Sequence, residues 1–206
     1  MLLGTNRYKS FLSEAKIECF SEAAMGKLLN KTAAELRPSS PCIFLSHKSE
    51  DKTAVKKIGE YIQQNGIDIY LDAEDIKLQD AVKNRDHQTI TKSIELGIKA
   101  STDIITIISE KTKESWWVPY EIGFGKANGK TVAAMKLKEI PSMPSFLIIA
   151  RSINGVKSLD AYLAEIIDNQ NKKAFNLDSY RLSIVLKNNA LPSTNSTNHP
   201  LANFLN

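Results

Sequence analysis

The sequence predicts an α/β fold, in which a parallel sheet is flanked by helices. Between residues 41 and 168, short apolar runs alternate with stretches whose apolar residues recur at helical spacing, the pattern of strand and helix repeats. The isoleucine-rich run at 104–108 is the most strand-like of the chain, so we expect it to be the central strand. A hydrophobic content of 42% in 206 residues is sufficient for a buried core.

The first half of this region contains two predicted strands. The apolar run at 42–45 suits a strand buried on both faces, and Asp51 is then placed to cap a helix that stops at Asn65-Gly66. Alternation from 67 to 72 predicts a second strand that ends on Asp72. The polar connection 73–85 is long for a compact domain, and loops of that length commonly serve a site.

The second half continues the alternation. The remaining elements are expected in this order: a helix capped by Asp86, the central strand, a helix from Ser115 to 128–129, a strand at 131–135, a last strand at 146–149 and a helix from Ser158. An N-terminal helical extension is predicted at 1–37, and a C-terminal helix with a polar tail at 169–206. The extension can pack on the domain, mediate self-association or hold a site closed.

Charge and cysteine usage exclude several classes of protein. The 27 basic and 23 acidic residues are scattered, unlike the basic face of a nucleic-acid binder. Cys19 and Cys42 form neither a disulfide framework nor a zinc spacing, so we expect buried thiols in a reducing cytoplasm. The N-terminus lacks the features of a signal peptide, and no apolar segment approaches the ~20 residues of a membrane span. We therefore expect a soluble cytoplasmic protein without nucleic-acid or membrane partners.

One stretch contains candidate binding and catalytic residues: Ser115-Trp116-Trp117-Val118-Pro119-Tyr120-Glu121. Ser115 can cap the helix, and proline is tolerated in the first turn because the N–H groups there lack intrahelical partners. Trp117 and Glu121 are four residues apart and should share a helix face, with Tyr120 beside them. This arrangement suits a sugar joined to an aromatic ring. Taken alone, so short a string more often reflects a surface glutamate with two core tryptophans.

Three motifs in this order resemble those of a bacterial Toll/interleukin-1 receptor (TIR) domain, over roughly residues 41–168. They are Phe44-Leu45-Ser46-His47-Lys48-Ser49-Glu50-Asp51, then Gly66-Ile67-Asp68-Ile69-Tyr70-Leu71-Asp72, then the stretch from Ser115 to Glu121. The resemblance implies a flavodoxin-like parallel sheet of about five strands, with the three motifs converging at the carboxyl ends of the strands.

The resemblance also implies an activity, because many bacterial TIR domains cleave NAD between nicotinamide and ribose. Glu121 matches their catalytic glutamate. Losing nicotinamide leaves an oxocarbenium-like ribose, whose positive charge a nearby carboxylate can stabilise. NAD is then the substrate, and neither a bound cofactor nor a metal is expected. The product would be ADP-ribose or a cyclic ADP-ribose-type signal. As in Thoeris-type anti-phage defence, this product would act on a separate effector, and the chain would self-associate through its TIR domain.

Further substrate-binding positions follow from the same resemblance. Ser46, His47 and Lys48 match the first-strand loop that lines the nucleotide pocket. Lys48 can meet a phosphate and Ser46 can hydrogen-bond a ribose, although solvated loop positions account for them equally well. Asp72 matches a pocket-facing acid, or it caps the following turn.

Trp117 and Tyr120 complete the expected site. Trp117 can offer a flat wall to a ring, worth ~1 kcal/mol beyond its buried area, or it can simply pack the helix. The competing hypothesis for the whole protein is a TIR scaffold that assembles with other TIR domains without catalysis. Such a scaffold would not need the Glu121 carboxylate. A response-regulator-like receiver shares the sheet topology but needs paired acids beside the first strand, where this chain has Ser46 and His47.

Overall fold

The structure, a computed structural model, describes residues 41–71, 82–148, 150–175 and 199–206. A five-stranded, all-parallel sheet forms its centre, with strand order 2-1-3-4-5. The elements are β1 (Cys42–Ser46), α1 (Lys52–Gln64), β2 (Asp68–Tyr70), α2 (His87–Lys99), β3 (Asp103–Ile108), α3 (Trp117–Ala127), β4 (Thr131–Lys136), β5 (Arg151–Ile153) and α4 (Val156–Phe175). This strand order is that of the flavodoxin-like fold, which confirms the predicted fold class.

Each face of the sheet has its own hydrophobic core. On one face, α1 and α4 cover inward residues such as Ile43 and Ile105. On the other, α2 and α3 cover Phe44, Ile104 and their neighbours. Because β1 and β3 are buried on both sides, they read in the sequence as continuous apolar runs.

The start of α2 and the ends of α1 and α3 are set by capping residues that can be recognised in the sequence. The Asp86 carboxylate accepts hydrogen bonds from the Thr89 backbone N–H at 3.1 Å and from its hydroxyl at 2.6 Å, so it caps α2 as predicted. Gly66 after α1 and Gly129 after α3 have φ of +80° and +69°, the left-handed conformation that ends a helix. The predicted stops at both sites are confirmed.

The predicted last strand at 146–149 is wrong. Residues Ser145–Leu147 form a short 3₁₀ helix, and the fifth strand is β5, where Arg151 pairs with Ala133 and Ile153 with Met135. Ile148, taken for a strand residue, is 72% exposed. β5 lies at the edge of the sheet, where polar residues are favoured, and therefore lacks an apolar signal.

The end of the chain is also not the polar tail that its composition suggested. Within 199–206, His199, Leu201 and Leu205 are buried, and both leucines join the α1–α4 core. The Phe204 carbonyl accepts from the Lys138 N–H at 2.7 Å, which fixes the segment beside β4.

Several expectations fall outside the described residues. They are the helical extension at 1–37, Cys19, Asp72, the connection from 73 to 81 and the C-terminal helix near 178–186. Cys42 is a buried thiol outside any disulfide, as expected. Among the described helices, none combines the length and the apolar character needed to cross a bilayer.

Candidate active site

The sheet reverses its strand order between β1 and β3. From β1 the chain moves first to one side, to β2, and then back past β1 to β3 on the other side. In open α/β sheets, ligands bind outside the carboxyl ends of the strands at such a switch point. Ser46 is the last residue of β1 and lies in register with Thr106 of β3. The site is therefore expected immediately beyond Ser46.

A buried hydrogen bond joins Ser46 to Glu121 at this point. The Ser46 hydroxyl donates to Glu121 Oε2 at 2.5 Å, and the two residues are only 1% and 3% exposed. Glu121 lies in α3, which covers this face of the sheet. A carboxylate is seldom buried unless it is paired. The expectation of a surface glutamate with two core tryptophans is thus excluded, because Glu121 is buried and Trp116 is 92% exposed.

The start of α3 explains how Glu121 is placed. The Ser115 hydroxyl accepts from the Val118 N–H at 3.2 Å, as predicted for a cap, although the helix is assigned from Trp117. Val118 and Ile122 point into the core and fix the rotation of the helix. Glu121 lies next to Ile122 and so reaches the sheet at its carboxyl edge.

A second hydrogen bond ties the first-strand loop to the loop after β3. Ser109 Oγ donates to Asp51 Oδ2 at 2.6 Å. Asp51 stands at the N-cap position of α1, but its side chain caps no helical N–H, so the expected capping role is wrong. Ser109 is itself fixed by a capping box with Thr112. The Asp51–Ser109 bond therefore helps to set the path of the loop that carries His47 and Lys48.

His47 and Lys48 are both half-buried in that loop. His47 Nδ1 lies 3.0 Å from the Leu45 carbonyl oxygen. A carbonyl can only accept, so Nδ1 carries the proton in this bond. The backbone carbonyl of Lys48 accepts from the Asp51 N–H at 2.9 Å and closes the short 3₁₀ turn Ser49–Asp51.

These residues lie in a region of the chain that matches a known protein family. The family model described as a TIR domain matches residues 43–165, more than half of the chain. The chain belongs to the TIR domain family. A bacterial relative from Cytobacillus dafuensis, named "Putative cyclic ADP-D-ribose synthase TIR2", is 27% identical over 100 residues. The match covers 47% of this chain and 25% of the relative, so the chain corresponds to about a quarter of that protein's length.

The two aromatic residues that the sequence placed in the site, Trp117 and Tyr120, both lie on α3. Trp117 is half-buried against the α2–α3 core, and its ring meets Tyr120 edge-on at 5.9 Å. The Tyr120 hydroxyl donates to Glu95 of α2, and its ring stacks on Phe124. The pKa of Tyr120 is raised to about 12, chiefly by partial burial and secondly by the Glu95 carboxylate. The phenol therefore stays protonated at neutral pH.

The structure thus brings Ser46 and Glu121 into contact, with His47 and Lys48 in the loop that directly follows Ser46. Tyr120 is engaged with Glu95, and Asp72 lies outside the described residues. In the part of the chain that is described, no three His, Cys, Asp or Glu side chains cluster in a way that could hold a metal ion.

Sequence reasoning missed two features around this pair. One is the Asp51–Ser109 bond, which joins residues far apart in the chain and has no local signal. The other is Thr106, whose buried hydroxyl lies on β3 in register with Ser46. A signal for Thr106 was present, because it is the one polar residue within the isoleucine run 104–108.

Proposed function

We propose that this TIR domain cleaves NAD at the bond between nicotinamide and ribose, with Glu121 as the catalytic residue. The observation that carries the proposal is the buried Ser46–Glu121 hydrogen bond at the β1/β3 switch point. A carboxylate with little access to water acts more strongly on a developing positive charge than an exposed one, because the local dielectric is lower. Family membership and the relative named as a cyclic ADP-ribose synthase support the same activity.

The proposed step breaks the glycosidic bond, whose electrons leave with nicotinamide. The ribose carbon then carries oxocarbenium-like positive charge, which the Glu121 carboxylate stabilises as it forms. Before substrate binds, Ser46 orients that carboxylate through its 2.5 Å hydrogen bond. Water adding to the ribose carbon gives ADP-ribose and a proton. An adenine nitrogen of the same molecule adding instead gives a cyclic product.

His47 and Lys48 are proposed to contact the rest of the nucleotide. Both follow Ser46 directly in the loop at the carboxyl edge of β1. Lys48 supplies a positive charge suited to the pyrophosphate. We extend the proposal to bacterial anti-phage immunity in the cytoplasm, where the nucleotide product would act on a separate effector and copies of the chain would associate through their TIR domains.

The test is to incubate the purified chain with NAD, follow nicotinamide by chromatography and identify the second product by mass spectrometry. Release of nicotinamide supports the proposal, and the product mass separates hydrolysis from cyclisation. If none appears, the assay is repeated with extract from phage-infected cells to supply a trigger. Absence of release under both conditions contradicts the proposal and favours a scaffold.

A further inference from the structure

A threonine interrupts the aliphatic central strand. Thr106 lies in β3 with isoleucine on both sides, and its side chain is completely buried. Its Oγ1 has no hydrogen-bond partner among the atoms that the structure describes. A buried hydroxyl without a partner is unfavourable relative to valine, which has nearly the same shape. Packing alone therefore does not account for a hydroxyl at this position.

The position of Thr106 connects it to the proposed active site. Thr106 is the register partner of Ser46, and adjacent strands are about 4.8 Å apart. Side chains alternate between the faces of a strand, so Thr106 shares the face of Ile104 and Ile108, which pack in the α2–α3 core. This is the face that Glu121 reaches from α3. Thr106 thus lies one strand spacing from Ser46, and its side chain is on the side of the sheet where Ser46 meets Glu121.

We propose that Thr106 is a positioning residue for the Glu121 carboxylate, an inference that rests on the proposed NAD cleavage. Without substrate, Ser46 donates to Glu121 Oε2. The ribose hydroxyls of NAD can donate and accept hydrogen bonds, so they compete for both side chains. When substrate draws the Ser46 hydroxyl away, rotation of Thr106 about χ1 brings its hydroxyl to the oxygen that Ser46 has left.

This exchange keeps a hydrogen-bond donor on Glu121 Oε2, the oxygen that Ser46 contacts, throughout the reaction. The carboxylate then stays in one orientation while positive charge develops on the ribose, and such preorganisation is worth most in the transition state. Loss of the Thr106 hydroxyl should therefore lower kcat and leave KM nearly unchanged.

Two substitutions separate the hydroxyl from the volume it occupies. Thr106→Val keeps the branched shape and removes the hydroxyl, whereas Thr106→Ser keeps the hydroxyl. We expect Thr106→Val to lower kcat about tenfold with KM within about twofold of wild type, and Thr106→Ser to retain about a third or more of wild-type kcat. Wild-type kcat in Thr106→Val, an equal loss in both variants or a loss carried by KM would overturn the proposal.

A melting experiment without NAD tests the unpartnered hydroxyl itself. Thr112 is a matched control, since it is also buried but its Oγ1 accepts from the Ser109 N–H at 2.9 Å. Thr112→Val should lower Tm, whereas Thr106→Val should leave Tm unchanged or raise it. An equal fall in Tm for Thr106→Val and Thr112→Val would mean that the Thr106 hydroxyl has a hydrogen-bond partner in the free protein, and it would overturn the proposal. If wild type releases no nicotinamide either alone or with extract from infected cells, the proposed function fails and this role of Thr106 with it. If wild type releases nicotinamide and Thr106→Val does so equally well, only the role of Thr106 is rejected.

Discussion

Ser46 Oγ and Glu121 Oε2 lie 2.5 Å apart although the two residues are separated by 75 positions in the sequence. The bond joins the end of β1 to the first turns of α3 and is buried at both ends. Its geometry depends on the sheet, which brings β1 next to β3 and places α3 over them. The fold therefore supplies the orientation of the carboxylate, and the serine fixes it.

Ser46→Ala should impair both activity and stability. A hydrogen bond to a charged group contributes about 1.5–3 kcal/mol, so we expect kcat to fall about tenfold or more and the free energy of unfolding to decrease by about 1–3 kcal/mol. Ser49→Ala, in the exposed turn of the same loop, is the matched control and should behave like wild type. Steady-state kinetics and urea unfolding measure the two effects. If Ser46→Ala and Ser49→Ala had the same kcat and the same free energy of unfolding, the Ser46–Glu121 hydrogen bond would contribute to neither activity nor stability.

Two glycines in neighbouring helices should respond oppositely to alanine. A Cβ on Gly97 would lie 2.4 Å from Tyr70 Cε1, and Tyr70 cannot move freely because it stacks on Phe44 at 5.5 Å. We expect Gly97→Ala to destabilise the protein by about 1–3 kcal/mol. Gly123 has no atom within 4 Å of the added Cβ, so Gly123→Ala should stabilise α3 by about 0.5–1 kcal/mol. Chemical denaturation measures both, and a stabilising Gly97→Ala would contradict the close helix–sheet contact.

The packing of residues 199–206 predicts a large effect for one substitution near the end of the chain. Leu205 is 1% exposed in the α1–α4 core, so Leu205→Ala should cost about 2–5 kcal/mol of unfolding free energy. Asn203 is exposed in the same segment, and Asn203→Ala should change stability little. Urea unfolding of both variants is the measurement. A Leu205→Ala protein as stable as Asn203→Ala would mean that the segment does not pack on the core.

His199 should make stability depend on pH. Burial lowers the pKa of its imidazole below the ordinary 6.5, and the Asp160 carboxylate, 3.8 Å from Nε2, opposes the shift only in part. Nδ1 accepts from the Leu201 N–H at 3.1 Å, and the imidazole ring meets Tyr61 edge-on at 4.5 Å. A second proton would have to sit on Nδ1 and would break the bond to Leu201.

Because the unfolded chain takes up this proton more readily, stability should fall as pH drops below about 6.5 and level off below the pKa of the folded state. Melting temperatures across this range measure the effect. His199→Asn keeps an acceptor for the Leu201 N–H without a titrating ring, and it should flatten this part of the curve. His87→Asn, at an exposed position of α2, should leave the curve as in wild type. If the curve flattened in the His87 variant instead, the pH dependence would belong to His87 and the assignment to His199 would be wrong.

The sequence predicts those parts of the fold where burial leaves a local pattern. β1 and β3 are covered on both faces and appear as apolar runs, whereas the edge strand β5 is largely exposed and gives no such run. The polar composition near the end of the chain concealed Leu201 and Leu205, since two leucines have no periodicity that predicts docking.

The candidate site likewise has one part that the sequence predicts and another that it does not. Glu121 and Ser46 were expected from motifs, because each motif is contiguous in the chain. Their hydrogen bond, the Asp51–Ser109 bond and the register of Thr106 beside Ser46 arise only from strand pairing and helix packing. No local pattern encodes them, so only the folded structure shows them.

The central claim is that the carboxylate held by Ser46 is the group that cleaves NAD. Glu121→Gln tests it most directly, since the amide keeps the size of the side chain and an acceptor for Ser46 but loses the negative charge. Glu114→Gln is the matched control, because Glu114 is an exposed carboxylate shortly before α3. We predict that nicotinamide release falls by about 100-fold or more in Glu121→Gln and is unchanged in Glu114→Gln, with both proteins folded. Wild-type release by Glu121→Gln would contradict the account.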